Sequence, residues 1–184
     1  MFLHRLETRS QEALTPEGLC NLIQFEFQPE INTSCSKIES YLLSNPQIKE
    51  LPVSVAELVQ LVFSKLEDEI KHLFLKQSGI VYPCIKRNYK GTVKMDSAGP
   101  CLEHKVFENI HNTHQVIINL MQRLRQLLNN FSPTPNASME WRECLNELFT
   151  LETKVLQWIH VEQNLLYPKV TGKPAKAHHG HHHH

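Results

Sequence analysis

The sequence predicts an all-α fold, an up-down-up-down four-helix bundle. Three observations carry this. Apolar residues recur at steps of three and four along four long stretches, glycine is scarce (6 of 184 residues), and no stretch alternates apolar and polar residues as a half-buried strand does. The bundle is expected over residues 19–170, after an N-terminal segment 1–18 and before a disordered tail 171–184. The closing AHHGHHHH, Ala177 to His184, reads as a purification tag; whether it is native stays open.

In the first helix Ile31, Cys35, Ile38 and Leu42 recur at steps of four, three and four, with Pro29 at the first helical position. The apolar LCNLIQFEF before it is expected as a short helix, or as the start of the first bundle helix interrupted at Pro29. The second helix is predicted to open on the capping box Ser54-Val55-Ala56-Glu57. Its stripe runs Val55, Leu58, Val59, Val62, Leu66, Ile70, Leu73 and Gln77, and it should fail near Ser78-Gly79, ahead of Pro83. The basic stretch Ile85 to Lys94 reads as a solvated loop. The third helix carries Phe107, Ile110, His114, Ile117, Met121, Leu124 and Leu128, and ends in Asn129 to Ser138. The fourth carries Cys144, Leu148, Leu151, Val155, Trp158, Glu162 and Leu165, and should stop at Pro168.

Charge and composition exclude several classes. Lys+Arg and Asp+Glu are equal at 19 each, which leaves no electrostatic footprint for nucleic acid. No run of 18 apolar residues is present to cross a membrane, and MFLHRLETRSQEALTP has charges where a secretory signal needs an apolar core. Five cysteines without CxxC spacing (Cys20, Cys35, Cys84, Cys101, Cys144) fit reduced thiols in the cytoplasm. Cys84 and Cys101, which flank the polar segment, are expected to be independent thiols. The run Glu67-Asp68-Glu69 reads as a solvated face. No Ser-His-Asp order, phosphate loop or HExxH motif points to an enzyme.

Three stripe positions are polar: Gln77, His114 and Glu162. A carboxylate taken out of water without a partner costs several kcal/mol, so one aimed inward is paired, solvated or bound to metal. Bundles that hold two metals present His and Glu from facing helices to one point.

WIHVEQNLLYPK (Trp158 to Lys169) resembles the closing motif H-I-x-L-E-N-N-x-L-F-P-R of hemerythrin-like di-iron proteins of the RIC (repair of iron centres, ScdA-type) family. LEDEIKHLFLKQSGIVYPCIK is similar to that family's E-E-L-x-x-H-M-x-K-E-E-x-I-L-F-P-x-I-K. PCLEHKVFENIHNTHQVIINLMQRL is similar to its P-I-x-x-M-x-x-E-H-D helix, and FSPTPNASMEWRECLNEL to its linker and last-helix start. Together these cover Ser54 to Lys169.

The resemblance implies a hemerythrin-like (HHE) bundle and a role in repairing oxidatively or nitrosatively damaged iron–sulfur centres through two irons. Of the iron ligands it implies, the third-helix His falls on His114 and the last bridging Glu on Glu162. The other positions fall on Trp158, Leu73, Gln77 and Gln28, none of which matches. His72, His111 and His160 are the alternative ligands; His72 is one residue out of place, about 100° around a helix.

Two readings follow. The first is a metal-free, degenerate relative acting as a non-catalytic binding or regulatory protein, with Trp158 and Leu73 filling the former metal space and Glu162 paired to His114. The alternative is an iron protein, di-iron or mononuclear, of the repair or stress-response type with an altered site. Either would be cytoplasmic, monomeric or homodimeric, with a protein or small-ligand partner the sequence does not name.

Overall fold

In the computed structural model, residues 15–44, 48–90, 93–94 and 102–172 are described. Thr15 caps the first helix by accepting from the Gly18 N–H at 3.1 Å, and Pro16 takes the first turn, where a missing N–H costs nothing. This helix, α1, has three segments: Pro16–Leu22, a wide π turn Ile23–Phe27, and Gln28–Leu42. Helix α2 follows the same plan, with Val53–Lys76, a π turn Gln77–Val81, and Tyr82–Asn88. A two-residue antiparallel pair, β1 Tyr89–Lys90 with β2 Val93–Lys94, leads toward α3, His104–Leu127. Helix α4 comprises Met139–His160, a π turn Val161–Leu166, and Tyr167–Thr171.

The four helices form the expected bundle. α2 packs mainly on α3, and α1 on α4. One continuous core runs between them, with Phe27, Ile31, Phe63, Leu66, Ile70, Ile117, Leu148 and Val155 all fully enclosed. The turn from α3 to α4 uses three successive residues at positive φ, Asn129, Asn130 and Phe131. Arg125 reaches over the Phe131 ring at 5.2 Å and pairs with Glu152, tying this turn to α4. Ser138 then caps α4 through the Trp141 N–H.

Several boundaries differ from expectation, for one shared reason. The first helix is not interrupted at Pro29, the second does not fail at Ser78-Gly79, and the fourth does not stop at Pro168. Each proline comes two residues after a π turn. Proline breaks a regular helix because it lacks an N–H and its ring meets the carbonyl four residues back. In each π turn the bonding shifts to five residues back: Gln28 N–H to Ile23 O, Tyr82 N–H to Gln77 O, and Tyr167 N–H to Glu162 O. The carbonyl is displaced and the helix passes through the proline.

Other corrections are local. The capping box at Ser54 does not form, because the helix starts one residue earlier at Val53 with Pro52 as its cap. The basic stretch from Ile85 is no solvated loop throughout: Ile85, Asn88 and Tyr89 are buried, and Tyr89 donates to the Val170 carbonyl. Cys84 is disulfide-bonded, which corrects the expectation of an independent thiol and weakens the argument for a reducing compartment. Cys101 and the His-rich tail lie outside the described residues. Cys20, Cys35 and Cys144 are free, and burial pushes each thiol up to about 12, so none is a ready nucleophile.

Glu67 is buried (6% exposed) rather than solvated, 3.4 Å from Lys71. Burial raises its carboxyl to about 7, helped by Glu39 and opposed by Lys71. The folded state therefore holds a proton that the unfolded chain releases near its ordinary value of 4.5. That contribution is complete below the unfolded value and lost as pH rises through about 7. Urea unfolding at a series of pH values should show the unmodified chain losing stability over this window relative to Glu67→Gln. A difference that grows in the opposite direction would refute the assignment.

Candidate functional site: a buried carboxylate at the bundle centre

Glu162 lies in the π turn of α4, fully enclosed by the bundle, and two other helices bring three donors to it. His114 of α3, also fully buried, places Nε2 2.7 Å from Glu162 Oε1. Gln77, the first residue of the α2 π turn, donates Nε2 to the same oxygen at 2.8 Å. Tyr82, which follows that turn, donates its hydroxyl to Glu162 Oε2 and lies 3.2 Å from Gln77 Oε1. Gln77 Nε2 also reaches the Tyr167 hydroxyl at 3.2 Å. Both carboxylate oxygens are thus satisfied, which is the condition for burying such a group.

The π turns create this arrangement. In a regular helix, residues five apart point about 140° away from each other. Widening the turn brings Gln77 and Tyr82 onto one face, where they touch, and places Tyr167 beside the same carboxylate. Burial pushes the Tyr82 and Tyr167 phenols well above their usual value, and the neighbouring Glu162 charge adds to the rise. Both therefore carry their protons at neutral pH.

Gln163 completes the network on the far side of His114. Its Nε2 is 3.0 Å from His114 Nδ1 and 3.1 Å from His111 Nδ1. With Nδ1 accepting from this amide, the His114 proton sits on Nε2 and points at Glu162.

The remaining ligand positions of the hemerythrin-like pattern surround this cluster without donating to it. Trp158 and Leu73 are buried. The Trp158 ring stands edge-on to Phe74 at 4.9 Å and to His114 at 5.6 Å. Its Nε1, fully buried, has no acceptor. Gln28 accepts from Ser78 at 3.1 Å, and its own Nε2 is unpaired. Of the alternative ligands, His72 is exposed, and His160 is exposed and bonded to Asn164. His111 Nδ1 meets the same Gln163 amide that holds His114. Among the described residues no three His, Cys, Asp or Glu side chains gather as a metal-binding group.

Sequence reasoning singled out Glu162, His114 and Gln77, but not Tyr82, Tyr167 or Gln163. A signal for the tyrosines was present. Gln77 and Tyr82-Pro83 stand at the same spacing as Glu162 and Tyr167-Pro168.

No protein-family profile matches the chain. An iron–sulfur cluster repair protein YtfE of Cronobacter sakazakii is 25% identical over 141 residues, covering 77% of this chain and 56% of that protein. The chain is similar to iron–sulfur cluster repair proteins. The one from Yersinia pseudotuberculosis is 23% identical over 167 residues, 89% of this chain and 71% of its own length. The Escherichia coli repair protein is 23% identical over 141 residues, 77% of this chain and 56% of its own. The chain thus spans little more than half the length of the first of these repair proteins. Their likeness supports the hemerythrin-like, RIC-type resemblance. No helix among the described residues is long and apolar enough to cross a membrane.

Proposed function

We propose that this chain serves in iron–sulfur cluster repair, in the oxidative or nitrosative stress response, as a cytoplasmic protein whose central site departs from the di-iron pattern. The observation that carries the reading is the likeness to iron–sulfur cluster repair proteins over most of the chain. The donor set argues for the departure. Two bridged irons need several carboxylates and imidazoles, and the pattern's positions here offer one of each, Glu162 and His114. Leu73 and Trp158 have no lone pair for a metal, and Gln77 and Gln28 are neutral amides. These residues do not fit a di-iron centre.

A second reading, a metal-free binding or regulatory bundle, is favoured by the closed contact between His114 and Glu162 at 2.7 Å. In that case the polar cluster only fixes the register of the helices, and the partner is a protein or small ligand.

The test of the repair role uses a bacterial strain that lacks its own repair protein. The cells are exposed to nitric oxide, and the recovery of an iron–sulfur dehydratase is followed after new protein synthesis is blocked. Cells expressing this chain should recover activity faster than cells carrying the empty vector. Equal recovery in both, with the chain present and folded, would reject the repair role.

A further inference from the structure

Near the start of α4 a cleft of about 500 Å³ opens against the second half of α1. It lies roughly 20 Å along α4 from Glu162, well apart from the buried cluster. The α4 wall carries Glu140, Glu143, Cys144 and Glu147, and the α1 wall carries Lys37 and Tyr41. The chain as a whole balances its charges, 19 against 19, yet this cleft gathers three carboxylates and one ammonium.

The carboxylates are open to a ligand. Glu140 and Glu143 are exposed, and among the described residues neither has a hydrogen bond or ion pair. Glu147 is oriented by Ser34 of α1, which donates to its Oε2 at 2.7 Å. Its other oxygen, Oε1, has only Lys37 Nζ at 3.9 Å, and that lysine side chain is 65% exposed. Such a contact is weak enough for an incoming cation to displace. The Cys144 thiol also lines the cleft; it is 5% exposed and makes no hydrogen bond among the described residues.

We propose that this cleft binds a linear aliphatic triamine, with one ammonium group on each carboxylate. Binding here does not depend on the repair role. Spacing decides the class of cation. At a rise of about 1.5 Å per residue, Glu140, Glu143 and Glu147 follow one another along the axis by about 4.5 Å and about 6 Å. A metal ion needs its ligands around one point, and no three His, Cys, Asp or Glu side chains gather so among the described residues. With bonds of about 1.5 Å, nitrogens joined by three or four methylenes lie about 5 Å or about 6 Å apart. A triamine with those two spacers sets its charges opposite the three carboxylates.

The methylenes also have surfaces to lie on. The Tyr41 ring is fixed from two sides, its hydroxyl donating to Glu50 Oε1 at 3.2 Å and its ring centre 5.6 Å from that of Trp141. Such a ring attracts ammonium groups as well. The Cys144 sulfur, one residue beyond Glu143, offers a weak acceptor to the central nitrogen. Three ammonium charges then balance three carboxylates, and Lys37 is released to solvent.

The test is a calorimetric titration of the full chain with spermidine, a triamine with three- and four-carbon spacers, at fixed ionic strength. One molecule should bind per chain. Putrescine and 1,3-diaminopropane each reach two carboxylates and should bind about fivefold more weakly, the scale of one exposed ion pair. Glu140→Gln and Glu143→Gln should each weaken spermidine by about fivefold as well. Glu103→Gln, which alters an exposed acid outside the cleft, should change nothing. Lys37→Met should tighten binding, because the competing ammonium is gone. All four positions are exposed, so each variant should keep the helical circular dichroism of the parent.

Equal affinity for the triamine and the diamines, or an equal loss in Glu103→Gln, would mark a diffuse counterion effect and overturn the site. No saturation by spermidine up to millimolar concentration would do the same. Saturable binding of a trilysine peptide without binding of spermidine would also overturn it, and would mark the cleft as a surface for a basic protein segment.

Discussion

Replacing Glu162 with alanine should cost the fold about 3–5 kcal/mol, because it takes the shared acceptor away from three buried donors. His114 Nε2, Gln77 Nε2 and the Tyr82 hydroxyl all donate to this carboxylate. None of them gains water in exchange, and each buried donor left unpaired carries a penalty of about 1–3 kcal/mol. Glu162→Gln keeps one acceptor and should cost less. The loss is read from urea unfolding with and without His114→Ala. Since the two side chains belong to one network, the double variant should be less destabilised than the sum of the singles, by about 0.5–3 kcal/mol. A loss below about 1 kcal/mol, the range of an exposed ion pair, would show that water reaches this carboxylate.

Trp158→Ala should be comparably severe, about 3–5 kcal/mol, through the cavity it opens between Phe74 and His114. The comparison with Trp158→Phe is the informative one. The Trp158 Nε1 proton is buried without an acceptor, so the native side chain already carries a penalty of about 1–3 kcal/mol. Phenylalanine removes that donor while keeping most of the ring volume. It should therefore destabilise far less than alanine in the same unfolding measurement. If Phe and Ala lost equal stability, the indole N–H would have to be making an interaction that offsets its burial.

Most of the architecture was legible because one signal, the three-four apolar stripe, is imposed by helix geometry. Leu66, Ile70, Ile117, Leu148 and Val155 all lie where that spacing puts them. The inward aim of Glu162 and His114 followed from the same spacing, and so did the proximity of Gln77. The stripe fails at the π turns, where the angle per residue changes. Tyr82 sits five residues after Gln77, a separation that regular pitch sends to another face. Glu67 was misjudged for a different reason. It belongs to a run of three acids that looks solvated, and only its packing reveals that one of them is enclosed beside Lys71. The disulfide at Cys84 had no local signature at all, since pairing depends on proximity through space.

The wide turns also govern how this chain can be compared or edited. Each one advances the helix by an odd residue, so a register that holds before Gln77 is out of phase by about 100° after Val81. Deleting a single residue there would close the turn and bring the Pro83 ring against a carbonyl, while leaving Tyr82 four residues after Gln77 and still on its face. An alignment with an ordinary helix that places its gap one position off would pair Ser78 with a position belonging to Gln77. Leaving the gap out altogether would mislabel every side chain beyond.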